Sequence, residues 1–438
     1  MMERGIEKTI IMMVRGTWFA LLGMIFFVPV PFIDRVYPYV TCYLFFLLIA
    51  AFVVVGRHGG FPVRKRTIVV LVASLLGLGI NVLWAQEKSI ALRRYCFLVL
   101  PGLAVVVLTA LLFRQARARK QSLMEQMAVF ISICGFLVAG IGVIEFLTKT
   151  NFLYGAGFSS TNPFYTRYVL SPGGFVRPIA TQFNPACLGT CLLFSLPFSF
   201  FTAAEMKGFF RWTGILSALL SFFVLMLTFS RGSLIGFAAM VAVYCVIKRK
   251  MKMLLLFSAV AVLLSWCAHA LPYPFVRLSP QWIFGNGGTG MVSAYRVDRA
   301  KAALTVITEH PLTGIGFDHV RIRFDEFYLP GKRTEPMDYE HRIMDNMYLT
   351  ILAEAGIPGL IIVIMLLVYI IKKAVQSIAY YRARDDSAGA FVLAGFLAFV
   401  GLSVAMAGYD MLYWVCQYLY YAVAIGLILA VQQDTKGP

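Results

Sequence analysis

The chain has 438 residues, of which 60% are hydrophobic and only 14% are charged, and its mean hydropathy is +0.78. A soluble domain carries about 25% charged residues, so this composition excludes an ordinary soluble enzyme or binding module and indicates a protein embedded in a bilayer. The net charge of +18 does not indicate a nucleic-acid partner, because the basic residues fall in short clusters between apolar segments.

Twelve apolar segments are predicted to be membrane spans. A helix needs about 20 mostly apolar residues to cross the hydrocarbon of a bilayer. The first segment lacks the small-residue cleavage site of a signal peptide, so we expect it to be retained. In chain order, the predicted spans are 14–33, 37–55, 67–84, 95–113, 125–147, 181–204, 212–229, 233–247, 253–271, 347–371, 387–407 and 412–431.

The connectors between these segments orient the predicted helices. Those at 56–66, 114–120, 248–252 and 372–386 are rich in Lys and Arg, and all of them fall on one side. Cytoplasmic loops carry an excess of basic residues, so that side is predicted to be cytoplasmic, together with both termini. The sequence therefore predicts an all-α polytopic membrane protein, with 1–438 forming a single integral membrane domain.

Two long loops, 148–180 and 272–346, are then predicted to lie on the outer side of the membrane. Loops of this length in a compact protein are usually functional or disordered. The second loop contains an amphipathic segment, 291–310, followed by Pro311. Because proline ends a helix, we expect a helix over 291–310 and a large loop that is ordered and partly helical.

Arginines on the outer side form the strongest candidate for a site. Arg231 lies in a very short turn, LTFSRGSLIG (227–236), and an arginine this close to hydrocarbon normally has a partner. Its simpler interpretation is a side chain that snorkels to the interface. Arg177 precedes the sixth span, and Arg296 and Arg299 share one face of the predicted loop helix. Taken alone, each of these arginines is typical of an ordinary surface charge. Several guanidinium groups that converge on the outer face would bind a doubly charged anion.

The stretch YEHRIMDNMYL (339–349) holds the candidates for acid–base chemistry. Asp345 or His341 could act as a general base toward a substrate hydroxyl. Asp345 and Asn346 are equally typical of the cap of a helix. Glu145, near the outer end of the fifth span, is an intramembrane carboxylate that is either functional or a hydrogen-bonded contact between helices.

Other polar residues carry weaker signals. Gly314 and Gly316 allow a tight turn against another backbone or a ligand. His310 and His319 are candidate catalytic residues, although a histidine in a loop is more often solvated, and Asp410 is typical of a cap or interface residue. The sequence has no carboxylate cluster and no Cys and His pattern with metal-ligand spacing, so we predict neither a metal nor a cofactor.

Four motifs resemble, in this order, those of the O-antigen ligase and polymerase family of bacterial envelope glycosyltransferases. They are RPIATQFNPACLG (177–189), TFSRG (228–232), AYRVDRAKAALTVITEHPLTGIG (294–316) and DNMYLTILAEAGIPG (345–359). The resemblance covers about residues 125–375. It implies a GT-C-like fold in the bacterial inner membrane, with the active side facing the periplasm.

Members of this family use an undecaprenyl-diphosphate-linked glycan as donor. The resemblance implies an inverting, metal-independent transfer of the glycan to an acceptor sugar hydroxyl at the outer leaflet, with a second glycan or lipid A-core as acceptor. It also implies that Arg177, Arg231 and Arg296 hold the diphosphate and stabilise the leaving group. The candidate catalytic residues are Asp345, His341 and Arg231, and the candidate substrate contacts are Arg177, Arg231, Arg296, Arg299, Asn346 and Glu145.

Position 345 departs from the ligases of this family. Ligases carry a histidine where this chain has Asp345, whereas polymerase-like members often carry the acid. We therefore favour polymerisation of O-antigen or exopolysaccharide repeats over ligation to lipid A-core. A twelve-span transporter or lipid flippase is the alternative of another class. Such transporters often show internal repeats and polar sites at the midplane, whereas the polar groups here concentrate at one predicted face.

Overall fold

The computed structural model describes residues 2–27, 65–115, 120–151, 170–171, 175–182, 184–270, 290–327, 344–383 and 387–431. The predicted span 37–55 and parts of both predicted long loops lie outside these residues.

The described residues are mostly helical. The helices are α1 (Met2–Phe27), α2 (Lys65–Gly79), α3 (Lys88–Gln115), α4 (Lys120–Thr148), α5 (Pro185–Glu205), α6 (Gly208–Leu227), α7 (Arg231–Ile247), α8 (Met251–Cys267), α9 (Gly290–Glu309), α10 (His319–Ile322), α11 (Phe324–Phe327), α12 (Met347–Arg382), α13 (Ser387–Ala405) and α14 (Val415–Val431). Short 3-10 turns are Ile80–Leu83, Ala268–Ala270, Met406–Gly408 and Met411–Tyr413. Two short antiparallel strands, β1 (Leu170–Ser171) and β2 (Phe175–Val176), precede α5.

A helix lies within every predicted span except 37–55, which is outside the described residues, as are 28–33 of the first predicted span. Among the described helices, six are long and apolar enough to cross a membrane, and five further apolar helices are shorter. The prediction of an all-α membrane protein is confirmed. The count of twelve spans and the cytoplasmic side of the termini stay predictions. The predicted loop helix 291–310 is present as α9, which ends before Pro311.

Helix α12 is longer than predicted, because it continues past residue 371 to Arg382. Its last turns keep one buried face, formed by Ala374, Ile378 and Tyr381. Apolar residues at helical spacing form such a face, and burying it against neighbouring helices stabilises the helix beyond its most apolar part. The first part of the basic connector 372–386 is therefore helical.

Small and hydroxyl side chains bring the helices close together. Helix α13 packs against α5 and α7, and a Cβ on Gly236 of α7 would lie 2.5 Å from the Gly401 carbonyl oxygen of α13. Ser199 of α5 and Ser217 of α6 hydrogen-bond at 2.8 Å, and Ser217 donates to the Ser132 carbonyl of α4, also at 2.8 Å. Close backbone approach and interhelical hydrogen bonds are the contacts that hold helices together in a membrane.

Helix α12 is broken at Gly356, whose φ of 66° and ψ of −174° are not helical. Pro358 follows and has no N–H to donate. The N–H of Ile357 donates to the Pro311 carbonyl at 2.8 Å, outside its own helix. The two carbonyls one turn earlier therefore need donors from another segment.

The loop after α9 supplies these donors. The N–H of Ile315 donates to the Ala353 carbonyl and that of Gly316 to the Glu354 carbonyl, both at 3.0 Å. Gly314 has a φ of 61°, and a Cβ there would collide with the Glu354 carbonyl. The predicted glycine turn thus packs on backbone and joins α9 to the first turns of α12.

We expect Gly314→Ala to lower the free energy of unfolding by about 2–4 kcal/mol, because the methyl group meets the Glu354 carbonyl at a positive φ. Gly140→Ala is the matched control, since a Cβ there meets no atom within 4 Å and alanine favours a helix. Thermal unfolding of both purified variants in detergent measures the difference. Equal melting temperatures would contradict the backbone pairing.

Candidate active site

Arg231 is the first residue of α7 and lies at the end of the bundle where α12 begins and α13 ends. The chain reverses over 228–230, where Phe229 takes a φ of 48°. This turn packs closely on the connection between α13 and α14, because a Cβ on Gly232 would lie 3.5 Å from the Cα of Gly408. The Arg231 side chain is exposed. A guanidinium group thus stands at this end of the bundle.

Arg177 contacts the same turn. Its Nε and Nη2 donate to the Thr228 carbonyl at 2.9 and 2.6 Å, three residues before Arg231. Thr228 caps the C-terminus of α6, where the helix dipole favours a cation. Two arginines predicted as anion contacts are therefore brought to one turn.

Glu145 fixes the segment that carries Arg177. One oxygen of this fully buried carboxylate accepts the N–H groups of Ile179 and Ala180 at 2.9 and 2.8 Å. The other oxygen accepts Nδ2 of Asn151 at 2.8 Å. Both oxygens bind donors of the chain itself, which favours the interpretation of Glu145 as a structural contact over that of a substrate contact.

The rest of the 177–189 motif joins further segments at this end of the bundle. Asn184 caps α5, and its Nδ2 donates to the Tyr409 hydroxyl at 2.7 Å. The Thr181 hydroxyl donates to the Phe26 carbonyl near the end of α1. The motif therefore ties α1, α4 and α6 to the connection between α13 and α14.

Asp345 forms an ion pair with Arg299 of α9. The Arg299 side chain is 7% exposed and that of Asp345 is 19% exposed. Asp345 has a φ of 56°, a left-handed conformation that Asp and Asn adopt more readily than most residues. Asn346 is the cap of α12, because its Oδ1 accepts the N–H groups of Tyr348 and Leu349 at 3.0 and 3.2 Å. The predicted capping role therefore belongs to Asn346, and the carboxylate of Asp345 is turned to Arg299.

Asp410 fixes the backbone of Asp345. Its Oδ2 accepts the Asp345 N–H at 2.9 Å, and its Oδ1 accepts the Thr350 hydroxyl at 2.7 Å. Asp410 is fully buried and lies two residues after Gly408, which packs on the turn of Arg231. These contacts make Asp410 a positioning residue, and they connect the Arg231 turn to Asp345.

Burial raises the pKa of Asp410 from 3.8 to about 6, although the hydrogen bond from Thr350 opposes the shift. Both oxygens of the ionised form accept hydrogen bonds, so protonation displaces a donor and releases Asp345. We therefore expect activity to fall as the pH decreases through about 6. Asp410→Asn should lower the rate at neutral pH about tenfold and remove this acid limb. Initial rates measured across the pH range test both effects. If the variant still lost activity at acidic pH in the same way, the titrating group would be another residue.

A second group of polar residues lies beside Asp410. The Arg321 guanidinium stands 4.1 Å from the centre of the Tyr413 ring. The Tyr413 hydroxyl donates to Glu354 of α12, and Arg94 donates to the Tyr413 carbonyl at 2.9 Å. Sequence reasoning missed this group, because a cation–π contact between distant segments leaves no local motif. The group holds the connection between α13 and α14 against α3 and α12.

The two loop histidines contact backbone groups. Nε2 of the buried His319 accepts the Glu87 N–H at 2.9 Å, and Nδ1 donates to the Phe317 carbonyl at 2.8 Å. This pattern requires the neutral tautomer with the proton on Nδ1. The His310 carbonyl accepts the Gly314 N–H at 3.0 Å. The His319 side chain therefore joins α10 to the start of α3, whereas the contact of His310 is made by its backbone.

Contacts run from Arg177 through the Arg231 turn and the α13–α14 connection to Asp345 and Arg299. Four predicted site residues therefore belong to one connected group at one end of the bundle. Two other candidates lie outside the described residues: the side chain of Arg296 and the whole of His341.

Residues 216–364 match the family model described as O-antigen ligase. This match supports membership of the O-antigen ligase family. The matched region includes Arg231, Arg299 and Asp345, whereas Arg177 lies before it. No curated protein matches the chain. The match confirms the resemblance seen in the sequence and supports a glycosyltransferase-like activity on a lipid-linked glycan and an acceptor.

An apolar cavity of about 180 Å³ opens beside the candidate site. It is lined by residues of α2, α3, α12, α13 and α14, almost all of them hydrophobic. Along α12 the lining extends from Met347 and Tyr348, next to the cap, to Ile370. The cavity therefore runs from the polar site into the apolar part of the bundle.

Proposed function

We propose that the chain is an inverting, metal-independent glycosyltransferase of the bacterial inner membrane. It would move an undecaprenyl-diphosphate-linked glycan to an acceptor sugar hydroxyl at the outer leaflet. The observation that carries the proposal is the connected group of Arg177, Arg231, Asp410, Asp345 and Arg299 at one end of a membrane bundle. In the predicted topology, that end faces the periplasm.

Arg231 would bind the diphosphate and stabilise the charge that develops as the glycan departs. Its side chain is exposed at the N-terminus of α7, where backbone N–H groups and the helix dipole also favour an anion. Arg177 and Arg296 would add positive charge to the same donor site. Guanidinium groups suit this role because they match phosphate oxygens in pairs and stay charged at every physiological pH.

Asp345 would orient or deprotonate the acceptor hydroxyl. Its side chain is partly exposed, whereas Asp410 behind it is fully buried, so a substrate can reach Asp345 and not Asp410. The ion pair with Arg299 and the hydrogen bond from its N–H to Asp410 fix the direction of the carboxylate. His341 is the alternative base.

Polymerisation of O-antigen or exopolysaccharide repeats is the specific reaction that we propose. The acid at Asp345, where ligases of the family carry a histidine, supports a polymerase. Ligation of the glycan to lipid A-core is the alternative. The two reactions share the donor site and differ in the acceptor.

The apolar cavity supports a donor with a polyprenyl tail. Its lining from the site to Ile370 is mostly hydrophobic, with Glu354 as an acidic exception, and such a lining suits part of a hydrocarbon chain. A transporter or flippase would instead carry polar groups near the middle of the bundle. The cavity thus favours a lipid-linked substrate that presents its diphosphate at the Arg231 end.

The test is a transfer assay with purified protein and a lipid-diphosphate glycan. Lipid A-core and a second lipid-linked glycan are offered separately as acceptors. A longer glycan from the second reaction supports a polymerase, and a product from lipid A-core supports a ligase. No product from either acceptor, with donor binding retained, would contradict the proposed glycosyltransferase.

Transfer should survive the removal of divalent cations by EDTA. In the part of the chain that the structure describes, no three His, Cys, Asp or Glu side chains form a group that could hold a metal ion. The proposed mechanism stabilises the diphosphate with arginines and so needs no metal. The assay is repeated in EDTA and again with added magnesium. A loss of activity that magnesium restores would overturn the metal-free mechanism.

A further inference from the structure

A cleft of about 440 Å³ lies at the end of the bundle opposite Asp345, between the last turns of α7 and α12. The basic segments 248–252 and 372–383 lie at this end. The lining residues are Ile247, Arg249, Val375, Ile378, Ala379, Arg382 and Ala383. The cleft therefore combines two guanidinium groups with an apolar wall.

Both arginines are held near the end of α7. Nη1 of Arg382 donates to the carbonyl of Ile247, the last residue of α7, at 3.2 Å. Arg249 follows two residues later with a φ of 55°. The N–H of Lys250 donates a hydrogen bond to the Cys245 carbonyl at 2.7 Å. This left-handed turn closes the C-terminus of α7 and brings Arg249 to the cleft.

The charge around the cleft is strongly positive. The segment 248–252 contains four basic residues, and 372–383 contains three more, with no acidic residue in either segment. The nearest acids in sequence are Asp385 and Asp386, which lie outside the described residues. Arg249 and Arg382 are both exposed, so an anion from outside the protein can reach them.

The apolar wall is open on the side where lipid would lie. Val375 is 48% exposed and Val246 is 59% exposed, on helices that are apolar enough to contact hydrocarbon. A ligand with a negative headgroup and an acyl chain would match both parts of the cleft. Basic pockets between membrane helices bind anionic lipid headgroups for this reason.

We propose that this cleft binds the phosphate of an anionic phospholipid such as phosphatidylglycerol or cardiolipin. Arg249 and Arg382 bind the phosphate oxygens, and the acyl chains lie along Ile247 and Val375. The lipid then braces α7 against α12, the helices whose other ends carry Arg231 and the Asn346 cap. This inference does not depend on the proposed glycan transfer.

The experiment titrates short-chain phosphatidylglycerol into the full-length protein in neutral detergent and measures heat of binding. Phosphatidylcholine and inorganic phosphate are the comparison ligands. We expect saturable binding of phosphatidylglycerol alone, weakened about fivefold by Arg249→Gln and further by the double variant with Arg382→Gln. Arg211→Gln is the matched control, because Arg211 is an exposed arginine at the same end of the bundle that does not line the cleft.

The outcomes separate the possible sources of the anion. Equal binding of inorganic phosphate would make the cleft a phosphate site and overturn the lipid assignment. Equal weakening by Arg211→Gln would show attraction to general surface charge and overturn the site. Arg249→Gln keeps the hydrogen bond between Arg382 and Ile247, so it tests the cleft even if the double variant unfolds.

Discussion

Arg231→Ala should lower the rate of glycan transfer by about two to three orders of magnitude while the protein remains folded. The side chain is exposed at the first position of α7, so its removal takes little packing away from the bundle. It takes away the charge that opposes the developing negative charge of the diphosphate. Initial rates in the purified transfer assay measure the effect, and thermal unfolding checks the fold.

Two further variants sharpen this prediction. Arg231→Lys keeps the charge but loses the paired guanidinium donors, so we expect an intermediate rate. Arg211→Ala removes an exposed arginine from the opposite end of the bundle and should leave the rate unchanged. Normal polymer length and yield in Arg231→Ala would refute the assignment of Arg231 to the diphosphate.

Asp345→Asn should lower the transfer rate by about two to four orders of magnitude and leave donor affinity within about twofold. Asparagine has nearly the same shape and tolerates the left-handed backbone of this position, but it cannot accept a proton. The acceptor step is therefore impaired while the diphosphate site persists. Single-turnover rates and donor binding are measured on the same preparation.

The ion pair with Arg299 requires a second variant. Asp345→Asn leaves the buried Arg299 without its carboxylate, which can also cost stability. Asp345→Glu keeps the charge and moves the carboxylate by one methylene group. Glutamate is less favoured than aspartate at this left-handed backbone position, so we expect a small loss of stability, about 1 kcal/mol, together with slow transfer. A normal rate in both variants would return Asp345 to a structural role at the start of α12.

Local signals in the sequence predicted much of the fold. Apolar runs of about 20 residues indicate helices wherever they occur, and Pro311 marks the end of α9 in the same local way. The sequence also indicated Arg231 as a candidate site residue, because a cation between two apolar segments is energetically costly unless it has a partner or a function. The family match over 216–364 agrees with the motifs found there.

The contacts of the site could not be predicted, because they join distant segments. Asp410 binds Asp345 and Thr350, which are 65 and 60 residues away, and a buried carboxylate in a short turn looks the same in sequence whatever it binds. Glu145 binds the backbone N–H groups of 179 and 180, and backbone groups leave no trace in the side-chain pattern. Only the folded chain distinguishes these partners.

The interruption at Gly356 divides α12 into two helical segments, 347–355 and 357–382. The first segment, 347–355, is hydrogen-bonded to the loop 311–316, whereas the second segment extends to Arg382. A thicker or thinner bilayer changes the tilt of a membrane helix. We expect such tilting to be taken up at the break, so that the hydrogen bonds of the first segment keep the geometry around Asn346 when the surrounding membrane changes thickness.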